Sequence, residues 1–512
     1  MVRAAAPGRA ARSLLQRLGK VQEKHCTAPV GGITSAWLPS QMNEMDMHRG
    51  LPLVRPRRPP VLHGEFRPAV LANRAFRQVI RQNGAEIGIA LERADGSVSR
   101  FDTRILSPDH PRAEGNFLYV ERLLKFLLWS RGGCKIYFAG PPELGQQLQR
   151  HYRESSTGKF DAWIMGEKIY ERPFEVVVVG AGQLPPEREV SAPLGRHLEG
   201  CRIGFDLGAS DRKVAAVRDG RTVFSDETAW DPLSHSDPQW HFEEIMDSLR
   251  RAAAHLPRVD AIGGSSAGVY VRNRVKVASL FRGVPEELFE KRVKNLFLDI
   301  QKAWGGVPLE VVNDGEVTAL AGAMAINDQP VLGMALGSSL AVGYVNREGN
   351  ITAWLNELAF APVDYHPAAP VDEWSGDYGC GVQYFSQQAV GRLIGPAGIE
   401  MDAKLPLPEK LVEVQGRMAK GDERAARIYA TIGAYLGYAI AHYAEFYEFK
   451  HLLLLGRVTS GRGGEVILES AKTVLREEFP ELKIGFHVPD EKEKRHGQAM
   501  AAASLPLIEP KR

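Results

Sequence analysis

The chain has 512 residues, of which 44% are hydrophobic and 25% charged, and its formal net charge is +2. This length predicts more than one domain, and the composition excludes a disordered or fibrous protein. The near-neutral charge gives no reason to expect nucleic acid or an anionic membrane as a partner. No apolar run approaches the roughly 18 residues that span a bilayer. The four cysteines are scattered without a CxxC pair, which fits a reducing, cytoplasmic compartment.

The first 200 residues divide into a basic tail and a small module. The first 22 residues carry five basic side chains and no acidic one, so 1–75 is predicted to be a disordered tail, with a transit peptide or an upstream start codon as alternatives. From 76 to 200, a hairpin about Asp95-Gly96, a helix over 117–131 and short buried strands predict an accessory α/β module. A Pro/Glu-rich stretch at 183–193 is the predicted linker.

The stretch CRIGFDLGASDRKVAAVRDG at 201–220 predicts a strand, a tight turn at 206–210 and a second strand. Gly208 lets backbone N–H groups approach an anion, and the Ser210 hydroxyl can donate to a phosphate oxygen. The Asp206 carboxylate can hold a hydrated magnesium ion. The alternative is a plain structural hairpin.

A second informative stretch is PLEVVNDGEVTALAGAMA, from residue 308. A buried strand is predicted to end at Val312, a turn to follow at 313–315, and a helix of small residues to begin after it. A carboxylate at a strand end lies where open α/β sheets bind ligands, so Asp314 could take a proton from a substrate hydroxyl. Alternatively, Asn313 or Asp314 only caps the helix. A helix with a solvated basic face is predicted over 287–305.

Two later stretches complete the pattern. VLGMALGSSLAVGYV repeats the strand–turn–strand form of 201–220, and its small residues Gly337, Ser338 and Ser339 again admit phosphate oxygens. The strand HLLLLG enters a glycine-rich loop bounded by Gly456 and Gly461, which can hold a flat base against the backbone. Two similar hairpins suggest duplicated lobes that face one cleft.

Together these motifs resemble the ROK family of sugar kinases and sugar-responsive regulators, over about 201–505. DLGASDRK resembles its first phosphate turn, VVNDGEVTALAG its catalytic Asn-Asp helix and ALGSSLAVGYV its second phosphate turn. LNELAFAPV resembles its sugar-binding segment, LLLLGRVTSGRGG its adenosine loop and RHGQAMAAASL its final helix. The resemblance implies a two-lobed actin-like ATPase (ribonuclease H-like) α/β fold, with lobe 1 at 201–325 and lobe 2 at 326–512; the final helix could return to lobe 1.

The resemblance also implies an activity, an ATP-dependent sugar kinase that uses Mg²⁺. Asp314 would be the general base, Asn313 and Glu357 would bind sugar hydroxyls, and Asp206 would support magnesium. The phosphates would lie against five residues of the two turns, Gly208, Ser210, Gly337, Ser338 and Ser339. The nucleoside would lie between Gly456 and Gly461.

Departures from the family pattern alter the expected substrate. The family's zinc-binding histidine and first two cysteines are replaced by Phe360, Glu373 and Ser375, so only Cys380 remains and no zinc site is expected. A sugar-binding glutamate is replaced by Val382, which argues against ordinary glucose, since each such hydrogen bond contributes about 1.5–3 kcal/mol. Four nearby polar residues could serve another sugar or be loop surface: Asp364, Tyr365, Asp377 and Gln383. Arg457 and Asp211 also depart from the pattern near the nucleotide.

Three functions remain open at this stage. The first is a sugar kinase of altered substrate, and the second is a non-catalytic sugar- or nucleotide-binding regulator. The third is a degenerate scaffold whose module binds a protein. No DNA-binding helix is recognisable in 76–200, so no nucleic-acid partner is expected; a homodimer is open.

Overall fold

The structure is a computed structural model that describes residues 46–81, 84–189, 194–488 and 491–508, with the backbone alone for 491–496. The predicted tail, 1–75, differs from expectation in its second part, because residues from Asp46 onward are folded. Their elements are β1 (Asp46–His48), β2 (Leu51–Leu53) and α1 (Ala69–Ile80). Leu51, Phe66 and Val70 are buried, and this apolar burial explains why the segment is ordered. Residues 1–45 lie outside the described part.

The predicted accessory module is built on one mixed sheet with the strand order β4-β3-β5-β6. Its elements are β3 (Gly84–Glu92), β4 (Val98–Leu106), α2 (Gly115–Arg131), β5 (Lys135–Ala139), α3 (Pro142–Glu154), α4 (Ser156–Trp163), a π-helical segment (Ile164–Tyr170) and β6 (Glu175–Val179). Nearly every residue of α2 is buried, so this helix packs between other elements rather than on the surface.

Lobe 1 contains a five-stranded sheet with the order β13-β10-β7-β8-β9. Its elements are β7 (Cys201–Leu207), β8 (Asp211–Arg218), β9 (Arg221–Ala229), α5 (Pro238–Ala253), β10 (Ala261–Ser266), β11 (Val269–Val271), β12 (Arg274–Val277), α6 (Glu286–Leu288), α7 (Leu296–Ala303) and β13 (Leu309–Asn313). Strands β7 to β9 form antiparallel hairpins, whereas β10 runs parallel to both β7 and β13. One apolar cluster under this sheet includes Phe205, Leu249 and Phe297.

Lobe 2 contains a four-stranded sheet with the order β15-β14-β16-β17. The remaining elements are α8 (Asp314–Ile326), β14 (Val331–Leu336), β15 (Leu340–Val345), α9 (Gln387–Leu393), α10 (Leu407–Ala419), α11 (Glu423–Tyr443), β16 (His451–Leu455), α12 (Arg462–Glu478), β17 (Gly485–His487) and α13 (Glu491–Ala503). As in lobe 1, an antiparallel hairpin is extended by parallel strands. Here β14 and β15 form the hairpin, β16 runs parallel to β14, and β17 runs parallel to β16. The α/β class is therefore confirmed. The lobe 1 sheet has one strand more than the lobe 2 sheet.

The last helix, α13, packs on the lobe 1 sheet, although it follows lobe 2 in the chain. A Cβ atom on Gly204 would lie 1.8 Å from the Ala499 carbonyl oxygen, and one on Gly263 would lie 1.7 Å from that of Ala502. Only glycine permits this approach of helix backbone to sheet. Helix α8 shares an apolar cluster with both α13 and the lobe 2 sheet, so these two helices join the lobes.

Three local predictions need correction. Residues 287–305 do not form one helix, because a π-helical turn over Phe289–Val293 separates α6 from α7. No turn separates β13 from α8, because Asn313 ends the strand and the helix begins at Asp314. Asp206 lies within β7 rather than in the turn after it. Over the described residues, none of the helices has the length and apolar character to cross a membrane.

Candidate functional site

The ends of three parallel lobe 1 strands bring the first candidate residues together. Asp206 of β7 pairs with Ser265 of β10, and Ser266 pairs with Asn313 of β13. Adjacent strands lie about 4.8 Å apart, so the ends of β7 and β13 are separated by roughly 10 Å. Asp206 and Asp314 therefore lie at the same carboxyl edge of the sheet.

Asp206 is a buried carboxylate whose neighbours hold it in place. It is 6% exposed, and the Ser265 hydroxyl donates to its Oδ1 at 2.6 Å. The Lys213 ammonium lies 3.7 Å from Oδ2. Burial raises the pKa of Asp206, and Lys213 opposes that rise. Hard carboxylate oxygen suits a magnesium ion held through water, and the residues present fit that group.

Asp314 is the first residue of α8, and its position depends on Asn313. The Asn313 side-chain oxygen accepts from the Gly315 N–H at 2.7 Å, and its amide donates to the Gly268 carbonyl at 2.7 Å. Asn313 is thus the helix cap, the alternative that the sequence left open, and both ends of its amide have protein partners. Burial and the charge of Asp206 raise the pKa of Asp314 to about 6. A carboxylate with such a pKa suits a general base near neutral pH.

Glu357 lies opposite, on the loop that follows β15 in lobe 2. Burial and the charge of Asp314 raise its pKa to about 8, so Glu357 is close enough to Asp314 for their charges to interact. The Glu357 backbone N–H donates to the Trp129 carbonyl at 2.9 Å, and the preceding Asn356 N–H donates to the Ser130 carbonyl at 3.0 Å. The last turn of α2 therefore supports the loop that carries Glu357.

A fourth carboxyl, Glu316, was missed by the sequence analysis. It is 6% exposed, and burial is the main reason that its pKa rises to about 8. The Asn356 amide donates to its Oε1 at 2.6 Å, while Oε2 has no hydrogen-bond partner. The only available signal was its position two residues after Asp314, because nothing local distinguishes it from an exposed helix glutamate.

The two predicted phosphate turns differ in the contacts of their hydroxyl groups, although Ser210, Ser338 and Ser339 are all exposed. In the first, the Trp230 indole N–H donates to the Gly208 carbonyl at 2.8 Å, and the Ser210 hydroxyl donates to Asp211 at 3.0 Å. In the second, Ser338 and Ser339 are exposed, and the Gly337 N–H donates to the Ser339 carbonyl at 2.9 Å. The second turn thus presents its hydroxyls to solvent, whereas in the first the Ser210 hydroxyl is hydrogen-bonded to a carboxylate.

A cavity of about 870 Å³ lies beside the predicted adenosine loop. Its lining includes Gly456, Arg457, Lys213, Glu227, Phe486 and His487. Gly456 abuts β14, since a Cβ there would lie 2.4 Å from the Leu336 carbonyl oxygen. Gly461 is the exposed N-cap of α12, with φ of 65°. Lys213, Phe486 and His487 escaped the sequence analysis because they come from strands of two different lobes.

Aromatic packing occupies the segment where the family pattern has zinc ligands. The Phe360 ring lies 4.4 Å from Trp129 and 5.0 Å from Trp374, centroid to centroid. Glu373 is exposed, Ser375 donates to Asp372 at 2.7 Å, and burial raises the pKa of the Cys380 thiol. No set of three or more His, Cys, Asp or Glu in the described ranges is arranged to hold a metal ion.

The four polar residues proposed as alternative sugar contacts are engaged within the protein. Asp377 pairs with Arg122 at 3.0 Å and with Lys125 at 3.3 Å. Asp364 accepts from the Arg67 N–H at 3.0 Å and from the Tyr384 hydroxyl at 2.7 Å. The Asn73 amide donates a hydrogen bond to the Tyr365 hydroxyl at 3.4 Å, and the Gln383 amide donates one to Gln388 at 2.5 Å. Val382 is buried.

The comparisons with known proteins come from solved structures. The chain is similar to a ROK family glucokinase from Streptomyces griseus in complex with glucose and AMPPNP, with 19% identity, 60% of this chain and 99% of that chain covered, and a TM-score of 0.46. It is also similar to a ROK hexokinase from Thermus thermophilus, with 17% identity, coverage of 59% and 97%, and a TM-score of 0.46. A third similar structure is a ROK family transcriptional regulator, a homolog of the E. coli MLC protein. It has 18% identity and a TM-score of 0.49, with 60% of this chain and 79% of that chain covered.

No family model matches the chain, and neither does the sequence of any curated protein. The solved structures that it resembles thus include both sugar kinases and a regulator. They bear the family name that the sequence motifs suggest.

Proposed function

We propose that this chain is a ROK-family, ATP-dependent sugar kinase that transfers the γ-phosphoryl group to a sugar hydroxyl. The observation that carries the proposal is that the parallel pairing of β7, β10 and β13 puts Asp206 and Asp314 at one edge of the lobe 1 sheet, within reach of the charge of Glu357. Sequence motifs for two phosphate turns and an adenosine loop support it, and so does the cavity beside Gly456.

In this proposal, each residue has a role that its surroundings support. Asp314 takes the proton of the attacking hydroxyl, because its carboxylate is available above a pH of about 6. Glu357, with a pKa of about 8, is protonated at neutral pH and can donate to a sugar oxygen. Asn313 orients Asp314 through the helix cap, and its role as a sugar ligand requires release of one of its two protein contacts.

The remaining residues hold the nucleotide. The exposed hydroxyls of Ser338 and Ser339, with Gly337, bind phosphate oxygens, as do Gly208 and Ser210 once Ser210 leaves Asp211. Gly456 and Gly461 flank the nucleoside. Asp206 would hold Mg²⁺ through water, and that ion would neutralise phosphate charge. Phe360 and Val382, where the family pattern has a zinc-binding histidine and a sugar-binding glutamate, favour an acceptor other than ordinary glucose.

The test is ADP release by the full chain across a panel of sugars, with ATP and Mg²⁺. We expect one sugar to stimulate release, and Asp314→Ala to reduce kcat by at least a hundredfold while ATP binding stays within threefold. Asp299→Ala, a change on the helix before β13, is the matched control. An Asp314→Ala enzyme within tenfold of the wild type would remove the assigned base.

The second candidate is a non-catalytic regulator that binds sugar or nucleotide. One observation favours it: Lys213 pairs with Asp211 at 2.9 Å and Ser210 donates to the same carboxylate, so two phosphate donors are engaged. Calorimetry separates the candidates, because a regulator binds ATP or sugar without sugar-dependent ADP release.

A further inference from the structure

The accessory module contacts one segment of each lobe near Asp314 and Glu357, the residues proposed to act on the sugar. On the lobe 2 side it meets the loop 354–360, which carries Glu357. On the lobe 1 side it meets the hairpin 269–277, formed by β11 and β12. We call these two segments the acceptor walls.

The first acceptor wall, 354–360, rests on the end of α2. Besides the two backbone hydrogen bonds from Asn356 and Glu357, the Arg131 guanidinium lies 3.3 Å above the Trp354 ring, close enough for cation–π attraction. Phe360 packs against Trp129. Backbone, charge and ring contacts together fix this wall to the module.

The second acceptor wall, 269–277, is held by one carboxylate of the module. Glu171, directly after the π-helical segment, pairs with Lys276 of β12 at 2.9 Å and with Lys294 at 2.5 Å. The Lys276 side chain is only 5% exposed, so loss of Glu171 would leave a buried ammonium without this partner. Glu171 has a left-handed backbone, with φ of 53°, and is the C-cap of the π-helical segment.

The same hairpin borders Asp314. The Gly268 carbonyl, at its start, accepts the Asn313 amide. The Tyr270 hydroxyl donates to Ser266 at 2.7 Å, and the charge of Asp314 contributes to raising the Tyr270 pKa. A displacement of the hairpin would therefore disturb Asn313, which caps α8 next to Asp314.

We propose that the module sets the separation of the two acceptor walls, and that Glu171 is the positioning residue that holds the lobe 1 wall. This inference rests on the proposed kinase function for its consequence, which is selection of acceptor size. In this structure, the Glu171–Lys276 ion pair and the end of α2 join both walls to the module.

The experiment measures the distance between the acceptor walls in the full chain. Spin labels on unnatural residues at positions 274 and 353, both exposed, report it by pulsed electron resonance without nucleotide or sugar. We expect Glu171→Gln to widen and broaden the distance distribution, and Glu171→Asp to restore part of it. The matched control is Glu167→Gln, an exposed glutamate in the adjoining π-helical segment.

A second variant and a kinetic readout keep the proposal testable. Lys294→Met removes the ion pairs of Lys294 with Glu171 and Glu290 but leaves Lys276 paired with Glu171, so it should broaden the distribution less than Glu171→Gln if both fold. With any active sugar, Glu171→Gln should raise the acceptor KM about tenfold and leave the ATP KM within twofold.

An unchanged distribution in Glu171→Gln would overturn the proposal, and so would equal increases in both KM values. Since the distances are recorded without turnover, failure of the kinase assay leaves that result interpretable by itself.

Discussion

The Asn356 amide donates to the Glu316 carboxyl at 2.6 Å, and this bond joins helix α8 to the loop that carries Glu357. The Asn356 side-chain oxygen also accepts from the Tyr447 hydroxyl at 2.9 Å. Asn356 has φ of 53°, in the left-handed region that asparagine tolerates better than most residues. One side chain therefore fixes Glu357 relative to Asp314.

Substitutions of Asn356 should separate backbone strain from lost hydrogen bonds. Asn356→Gly removes the amide but accepts the positive φ, so we expect a loss of about 1–3 kcal/mol in the free energy of unfolding. Asn356→Ala adds strain and should be about 1 kcal/mol worse than Asn356→Gly. Urea denaturation measures both. An alanine variant as stable as the glycine variant would contradict the backbone argument.

The pH profile of turnover should be bell-shaped. Protonation of Asp314 removes the base, so kcat should fall tenfold per unit as the pH drops below about 6. Ionisation of Glu357 removes the proton that it donates to the sugar, so kcat should also fall as the pH rises above about 8.

Glu357→Gln tests the alkaline limb of that profile. A neutral amide still donates but cannot ionise, so the variant should lose the alkaline fall and keep the acidic one. Persistence of the alkaline limb in Glu357→Gln, but not in Glu316→Gln, would assign it to Glu316 instead.

Stability should decline at alkaline pH because of Glu316. Its folded-state pKa of about 8 exceeds the ordinary value of 4.5, so the folded chain binds the proton more tightly than the unfolded chain. The contribution is complete below pH 4.5 and is lost as the pH rises through about 8.

Glu316→Gln keeps an acceptor for Asn356 without ionising. The free energy of unfolding of this variant, relative to that of the wild type, should therefore be about 1–3 kcal/mol higher at pH 9 than at pH 6. Urea denaturation of both proteins at each pH measures it. Glu409→Gln, in the first turn of α10, is the control.

The buried ion network of the module should be essential to folding. Lys125 is 1% exposed and lies 2.6 Å from Asp161 and 3.3 Å from Asp377. Lys125→Met leaves two buried carboxylates short of a partner, so we expect a loss of about 3–5 kcal/mol in unfolding free energy. Lys159→Met, on the neighbouring helix, should change stability by less than about 0.5 kcal/mol. Equal effects of the two would show that the network is not the cause.

Local chemistry explains which parts of the fold could be predicted from the sequence. The hairpins at 84–106 and 201–218 and the final helix follow from alternation, glycine turns and small residues, and each is present. The folded segment 46–75 was missed because its order comes from distant partners, such as Asp364 for Arg67. A π-helical turn such as that at 289–293 gives no sequence periodicity of its own.

The candidate site likewise contains residues that local sequence motifs indicate and residues that they do not. Asp206, Asp314 and Glu357 could be found because each lies in a short motif. Lys213, Glu316 and His487 could not, because their importance arises from lobes and loops that meet only after folding. The engagement of Asn313 and Ser210 by protein groups was likewise invisible, since both residue types bind backbone and ligands equally well.

The close fit of α13 on Gly204 and Gly263 has a consequence for biosynthesis. The face of the lobe 1 sheet stays uncovered until α13 has been synthesised, because the residues that cover it follow lobe 2 in the chain. Lobe 1 is synthesised before lobe 2 yet cannot complete its core until lobe 2 has been made. Nascent chains should thus expose an apolar sheet while lobe 2 is synthesised and depend on chaperones for that interval.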